Sequence, residues 1–170
     1  IKSSTPESCR KALKEVFNII VDGTEDDVIE YIEEFKEKFK NMRMEEVAFP
    51  RSVKGLKKYK DASTIYKKST PIHVKGSLIY NHVLRDKKLT KKYPTIKEGE
   101  KIKFAYLKYP NPVGNRVISV LDMLPDEFNL EKSIDYDTQF AKAFVDPLKG
   151  VLDVIGWDTE RRASLEEFFV

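Results

Sequence analysis

The sequence holds one cysteine, two histidines and seven glycines in 170 residues, and each scarcity removes a class of chemistry. Cys9 cannot form an internal disulfide, and with His73 and His82 it falls short of every usual zinc spacing. Its helical spacing marks Cys9 as a core residue, and His73 is read as a strand-face residue bonded locally rather than a catalytic base. The glycines are scattered as punctuation, so no phosphate-cradling Walker or dinucleotide loop is present. No nucleophile elbow occurs, and Ser3-Ser4 lies at a helix start, where capping explains a hydroxyl. No apolar run approaches the roughly 20 residues of a membrane span, and the start lacks a signal-peptide core. A cytosolic setting is the expectation. The chain also lacks an initial Met: Ile1 stands there instead, which points to an excised or processed piece of a longer protein.

What remains is 41% apolar and 35% charged, the balance of a folded domain long enough to bury a core. The net charge of +3 is modest for a nucleic-acid binder, so the distribution of charge matters more than its sum. Asp135-Tyr136-Asp137-Thr138 offers the one carboxylate pair with a metal-site look. It reads as the opening turn of a helix, where the dipole favours acids with or without a metal. By residue chemistry alone the chain is a binding module without an active site.

Thr5-Pro6-Glu7 is a helix start, with Thr5 as cap, and Ala12, Leu13, Val16, Phe17 and Ile20 keep an apolar stripe to about Val21. Asp22-Gly23 ends that helix. Thr24 with Asp27 opens a second, along which Val28, Ile32, Phe35 and Phe39 recur. So short a link predicts an antiparallel helical hairpin. From Asn41 to Thr70 periodicity fades and Arg43, Arg51, Lys54, Lys57, Lys58, Lys60, Lys67 and Lys68 crowd in among Tyr59 and Tyr66. A solvated loop and a surface along a phosphate backbone fit this stretch equally.

Pro71 to Asn81 is read as the joint of the chain. Ile72 and Val74 alternate with His73 and Lys75 as a strand would, Gly76 turns the backbone, and Ser77 caps a short helix to about Arg85. A second basic run follows, from Lys87 to Lys97. Lys101–Leu107 and Arg116–Leu121 alternate as two strands around a Pro-Asn-Gly turn, with Lys103 and Arg116 on a small antiparallel sheet. From Asp126 the pattern is helical, with Tyr136, Phe140 and Phe144 at spacing four. Asp146-Pro147 kinks or breaks that helix before Leu148, Val151, Leu152 and Ile155. The fold class is therefore α+β and helix-dominated: an N-terminal helical hairpin, a small central antiparallel sheet and a long kinked C-terminal helix. One domain, 1–156, precedes a tail, 157–170.

Several segments together resemble the C-terminal part of a family B DNA polymerase of T-even-like bacteriophages. They are Lys2-Ser-Ser-Thr-Pro6 before Lys11-Ala-Leu-Lys-Glu15; Pro71-Ile-His-Val-Lys-Gly76 with Tyr80-Asn81; Glu98-Gly-Glu-Lys101; Asn111-Pro112 with Gly114; Phe144 with Pro147-Leu148 and Gly150; and Ala163-Ser-Leu165. The resemblance implies a polymerase thumb, which follows the palm and grips primer-template duplex. Catalytic aspartates and two divalent metal ions, magnesium by expectation, belong to the upstream palm, so the isolated chain is expected to be inactive. Carried over by position, Arg116 and Lys142 match phosphate-contacting cations, and Lys67 or Lys68, with Lys75, fall in a basic region of similar role. Asp146 departs from the pattern, since a lysine is expected before the Pro-Leu pair, and it is left out of the contacts. In the tail, Leu165, Phe168 and Phe169 resemble a sliding-clamp-binding box, with Arg162 in place of the customary leading glutamine. The implied partners are DNA, the clamp and the remaining polymerase domains, with no membrane, in the cytoplasm of an infected bacterial host. The rival readings are a stand-alone basic module for RNA or single-stranded DNA, a separate subunit of a split polymerase, and a purely structural interaction protein.

Overall fold

The computed structural model describes residues 1–161. Helix α1, Glu7–Asp22, and helix α2, Glu25–Phe39, form the expected hairpin across Gly23-Thr24. Asp27 N–H donates to Thr24 Oγ1 while Thr24 N–H donates to Asp27 Oδ2, the reciprocal cap that stops α2 from fraying. At α1 the cap differs from expectation: Pro6 holds that position without a side-chain bond, and Thr5 is buried. A short helix, α3, Met44–Val47, leads into strand β1, Phe49–Ser52, then helix α4, Leu56–Tyr59, and a two-stranded hairpin of β2, Lys60–Asp61, and β3, Ile65–Tyr66.

The joint at Pro71 is one helix, not a strand and a turn. Helix α5 runs Ile72–Asp86 from a Pro71 cap, so Val74, Leu78, Ile79 and Val83 form a helical stripe that the first four residues mimic as alternation. Ser77 caps nothing: its hydroxyl donates to His73 O within the helix, and Ser119 Oγ donates to the same carbonyl. Gly76 serves close packing. A Cβ there would lie 2.4 Å from Ser119 Oγ and 2.8 Å from Ser119 N, so only glycine lets α5 lie this near the sheet.

That sheet has strand order β1-β4-β5, all antiparallel, with β4 at Lys101–Tyr106 and β5 at Val117–Val120. Phe49 pairs with Phe104 and Phe104 with Ser119, so α5 crosses the face that carries Phe49, Phe104 and Tyr106. β1 was not expected from sequence. Pro50 argues against a strand, yet β1 is an edge, where a missing N–H costs no ladder bond. Two 3-10 turns, Asp126–Phe128 and Glu131–Ser133, replace the helix expected from Asp126.

The last helix is continuous but uneven: α6, Tyr136–Phe140, a π-helical turn, Ala141–Val145, and α7, Asp146–Val154. Asp135 caps α6 by accepting from Thr138 N–H and Oγ1. Asp146 is helical and caps nothing; Pro147, lacking an N–H, is accommodated by the wider turn just before it. Beyond α7, Trp157 packs on the helical core, Asp158 N–H donates to Glu25, and Arg161 pairs with Glu33 at 2.9 Å and Asp26 at 3.8 Å.

Two apolar cores result. One joins α5 to the sheet through Val74, Ile79, Leu84, Ile102, Ile118 and Phe128. The other joins α1, α2, α6 and α7, with Cys9 fully buried, its thiol pushed up to about 12 by burial, and Phe35 4.8 Å from Phe144. Gln139, fully buried, fastens the second to the first: its Oε1 accepts from Tyr106 N–H at 2.9 Å and its Nε2 donates to Val47 O at 2.8 Å. Every buried side-chain polar atom described has a partner.

Candidate nucleic-acid interface

The charge is sorted by segment. Residues 48–134, which build the α5-sheet core, carry nineteen Lys and Arg against eight Asp and Glu, whereas residues 1–47 and 135–161, which build the helical core, carry eleven against eighteen. The net +3 therefore conceals a strongly basic α5-sheet lobe beside an acidic helical lobe. A per-segment count would have found this in the sequence.

The β2–β3 hairpin presents the first cations. Asp61 closes its turn, accepting from Ser63 N–H and Oγ and from Thr64 N–H, and those bonds hold its carboxyl down at about 2. Ile65 adopts φ 73, a region that a β-branched residue enters only under strain, and the bend turns Tyr66 back toward the sheet. The Tyr66 hydroxyl donates to Asn115 Oδ1 at 2.9 Å, and Lys75 Nζ lies 4.6 Å above the Tyr66 ring. Lys67 and Lys68 are exposed on the link from this hairpin to α5, where Lys67 N–H donates to Tyr59 O.

Arg116 stands beside Asn115 at the entry to β5, exposed, with its guanidinium carbon 4.9 Å above the Tyr109 ring. Asn111 shapes the intervening turn by donating to Lys108 O and Asn115 O. Lys142, exposed on the π-helical turn, lies 5.3 Å above Tyr106, which pairs with Val117. Lys75, Arg116 and Lys142 thus surround the end of the sheet where β4 leaves and β5 enters, each seated on a tyrosine. Among the described residues none of the five expected cations is in an ion pair, so their charge is not cancelled locally. The structure brings three of them to one sheet end, while Lys67 and Lys68 join through the chain next to Tyr66.

One cation was missed as a site residue. Arg51, expected in a loop, lies on β1 with its guanidinium carbon 5.8 Å over Phe104, which stacks on Phe49 at 5.2 Å and approaches Tyr106 at 6.1 Å. His73 is on α5, not a strand, its ring 6.5 Å from Phe104, and burial and then Arg51 lower its pKa, which favours the neutral imidazole. Only knowledge of β1 could have aligned Arg51 with this row. The arrangement can hold phosphates with cations that already rest on aromatic rings.

Among the described residues no three His, Cys, Asp or Glu side chains gather where a metal ion could sit. The expected clamp-binding residues Leu165, Phe168 and Phe169 lie outside the described residues. No helix described is long and apolar enough to cross a membrane.

No protein-family model matches the chain. Two curated proteins are similar along nearly all of it. The DNA-directed DNA polymerase of Enterobacteria phage T4 is 30% identical over 172 residues, covering 99% of this chain. The DNA-directed DNA polymerase of Escherichia phage RB69 is 30% identical over 174 residues, again covering 99%. The chain spans only 19% of the length of each. The resemblance to T-even phage polymerases read from the residues therefore holds across the chain, as a likeness to a piece of those proteins.

Proposed function

We propose that this chain is the thumb of a family B replicative DNA polymerase of the T-even phage kind, working in the cytoplasm of an infected bacterium. Arg116, Lys142, Lys75, Lys67 and Lys68, joined by Arg51, hold the backbone of primer-template duplex without reading bases. A polymerase must accept every sequence, so phosphate contacts suit its grip. The observation that carries the reading is the likeness to the two phage polymerases, joined by cations on tyrosine rings at one sheet end, none of them in an ion pair among the described residues. Catalysis, with two divalent metal ions, belongs on this reading to a palm outside the chain. Leu165, Phe168 and Phe169 tether the enzyme to a sliding clamp, an aliphatic residue and two aromatics aimed at one apolar pocket.

The test is duplex binding by the purified chain across a salt series. Binding is expected to be weak and sequence-independent, and Arg116→Ala and Lys142→Ala should each flatten the plot of log affinity against log salt by about 0.9 for every phosphate no longer neutralised. Slopes unchanged in both variants would overturn the assignment.

A further inference from the structure

Helix α7 keeps an apolar face that the core does not use. Leu148 and Leu152 are fully buried, while Val151, Val154 and Ile155 are exposed, Val154 to 84%. Pro147 and Val151 line a groove of about 520 Å³ together with Leu13 and Phe17 of α1. Lys2 and Lys142 supply cations to its lining, and Asp146 is the one acid described there. Its size falls in the range of about 300–1,000 Å³ in which proteins hold a largely apolar ligand.

The chain that leaves α7 is fixed as far as Arg161. Gly156, at φ 72, ends the helix by donating its N–H to Asp153 O, and Trp157 N–H donates back to Leu152 O, the paired bonds of a Schellman end. Trp157 then packs on the helical core, Asp158 N–H donates to Glu25, and Arg161 pairs with Glu33 and Asp26. The described chain thus stops on α2, which shares its core with α1 and α7. Glu33 and Leu13 both lie near the middle of their helices. Helices that share a core stand about 8–10 Å apart, which puts the groove about 20 Å from Arg161. Phe169 is eight residues further along the chain, a span of up to about 28 Å when extended.

Residues 162–170 have the chemistry that suits this groove. Leu165, Phe168 and Phe169 match its apolar lining, and Glu166 and Glu167 match Lys2 and Lys142. Exposed Glu30, Glu34 and Glu37 make α2 itself repulsive to the same two glutamates.

We infer that the chain's own tail seats Leu165, Phe168 and Phe169 in the groove between α1 and α7, with Glu166 and Glu167 against Lys2 and Lys142. Lys142 is also one of the cations assigned to duplex phosphate. A phosphate that takes Lys142 withdraws a partner from the tail, so duplex binding loosens the seat and frees the three apolar residues for another partner. By reciprocity the seated tail weakens duplex binding by the same factor. The seat needs neither DNA nor a clamp, whereas the exchange rests on the duplex reading of Lys142.

The experiment compares NMR spectra of the whole chain, wild type against Leu165→Ser/Phe168→Ser/Phe169→Ser, and repeats the pair with Val151→Glu in both. Thermal melts establish that each protein is folded. The tail substitutions should shift the signals of Leu13, Phe17 and Val151 and leave Ile79 and Leu84 of the other core in place. Val151→Glu should abolish the difference at Leu13 and Phe17. No shift at the groove, or one that survives Val151→Glu, would overturn the seat. Shifts that grow with protein concentration would put a second copy's tail there and overturn the intramolecular seat. Saturating synthetic duplex, its binding followed by fluorescence anisotropy, should then move the Leu13 and Phe17 signals toward their positions in the tail variant. Signals that stay in place with duplex bound would overturn the exchange. A duplex that does not bind at all would overturn the interface proposed above and the exchange with it, while the DNA-free comparison decides the seat.

Discussion

One buried glutamine adds a polar link between the two cores, where Phe49 and Tyr136 also pack against both. Gln139 sits in a helical stretch where its neighbours Tyr136, Phe140 and Phe144 follow the apolar spacing, and nothing in its sequence setting distinguishes it from an exposed polar residue. In the fold it is fully buried, with one end on Tyr106 N–H and the other on Val47 O. Gln139→Leu keeps the volume and strands both backbone groups. Each buried group left without a partner costs about 1–3 kcal/mol. The melting temperature should fall by about 2–4 °C for each kcal/mol of destabilisation, measured by circular dichroism or calorimetry. A variant that melts within a degree of wild type would show that water repairs both groups. Gly76 is the companion case. A glycine after an alternating run reads as a turn, whereas its use here, admitting Ser119 against the helix, depends on a strand more than 40 residues later.

Elements whose stabilising contacts are local were legible. The α1–α2 hairpin, its reciprocal Thr24–Asp27 cap, the β4–β5 pair and the long last helix all follow from spacing and capping. Elements decided by distant partners were not. α5 hid its first turn in an accidental alternation, and β1 exists because β4 offers an edge to a segment containing proline. The β2–β3 hairpin belongs to the second kind, and its turn makes a pH prediction. The Asp61 carboxyl titrates at about 2 in the fold, below the roughly 3.9 of an unfolded chain, so its support for the turn is complete above the unfolded value and is lost as pH falls through 2. Ser63 and Thr64 amide shifts, followed by NMR, should titrate with that low midpoint and become flat in Asp61→Asn. A midpoint near the ordinary carboxylate value would mean the three turn bonds are not made in solution. Of the interface, the residue types were readable and their grouping was not, because Lys75, Arg116 and Lys142 meet only when α5, β5 and the π-helical turn converge on the tyrosines.

For the whole molecule, the proposed tether gives the sharpest expectation. Deleting Leu165 to Val170 from an intact polymerase containing this chain should abolish clamp-stimulated processivity and leave distributive synthesis nearly unchanged, since aromatic anchors at an interface commonly carry about 2 kcal/mol or more. Processivity and distributive rate falling together, or neither changing, would make the tail a structural part of the fold. The sorting of charge between the lobes has a further consequence. Cations gathered on the α5-sheet lobe and carboxylates on the helical lobe give the molecule a permanent electric moment out of proportion to its net +3. A phosphate polymer exerts a torque on such a moment before any contact forms, turning the lysine-bearing lobe toward it and the carboxylates away. Encounters then begin in a narrow range of orientations instead of being searched by rotational diffusion, and the same torque fades over a distance of about 10 Å as salt approaches 0.1 M.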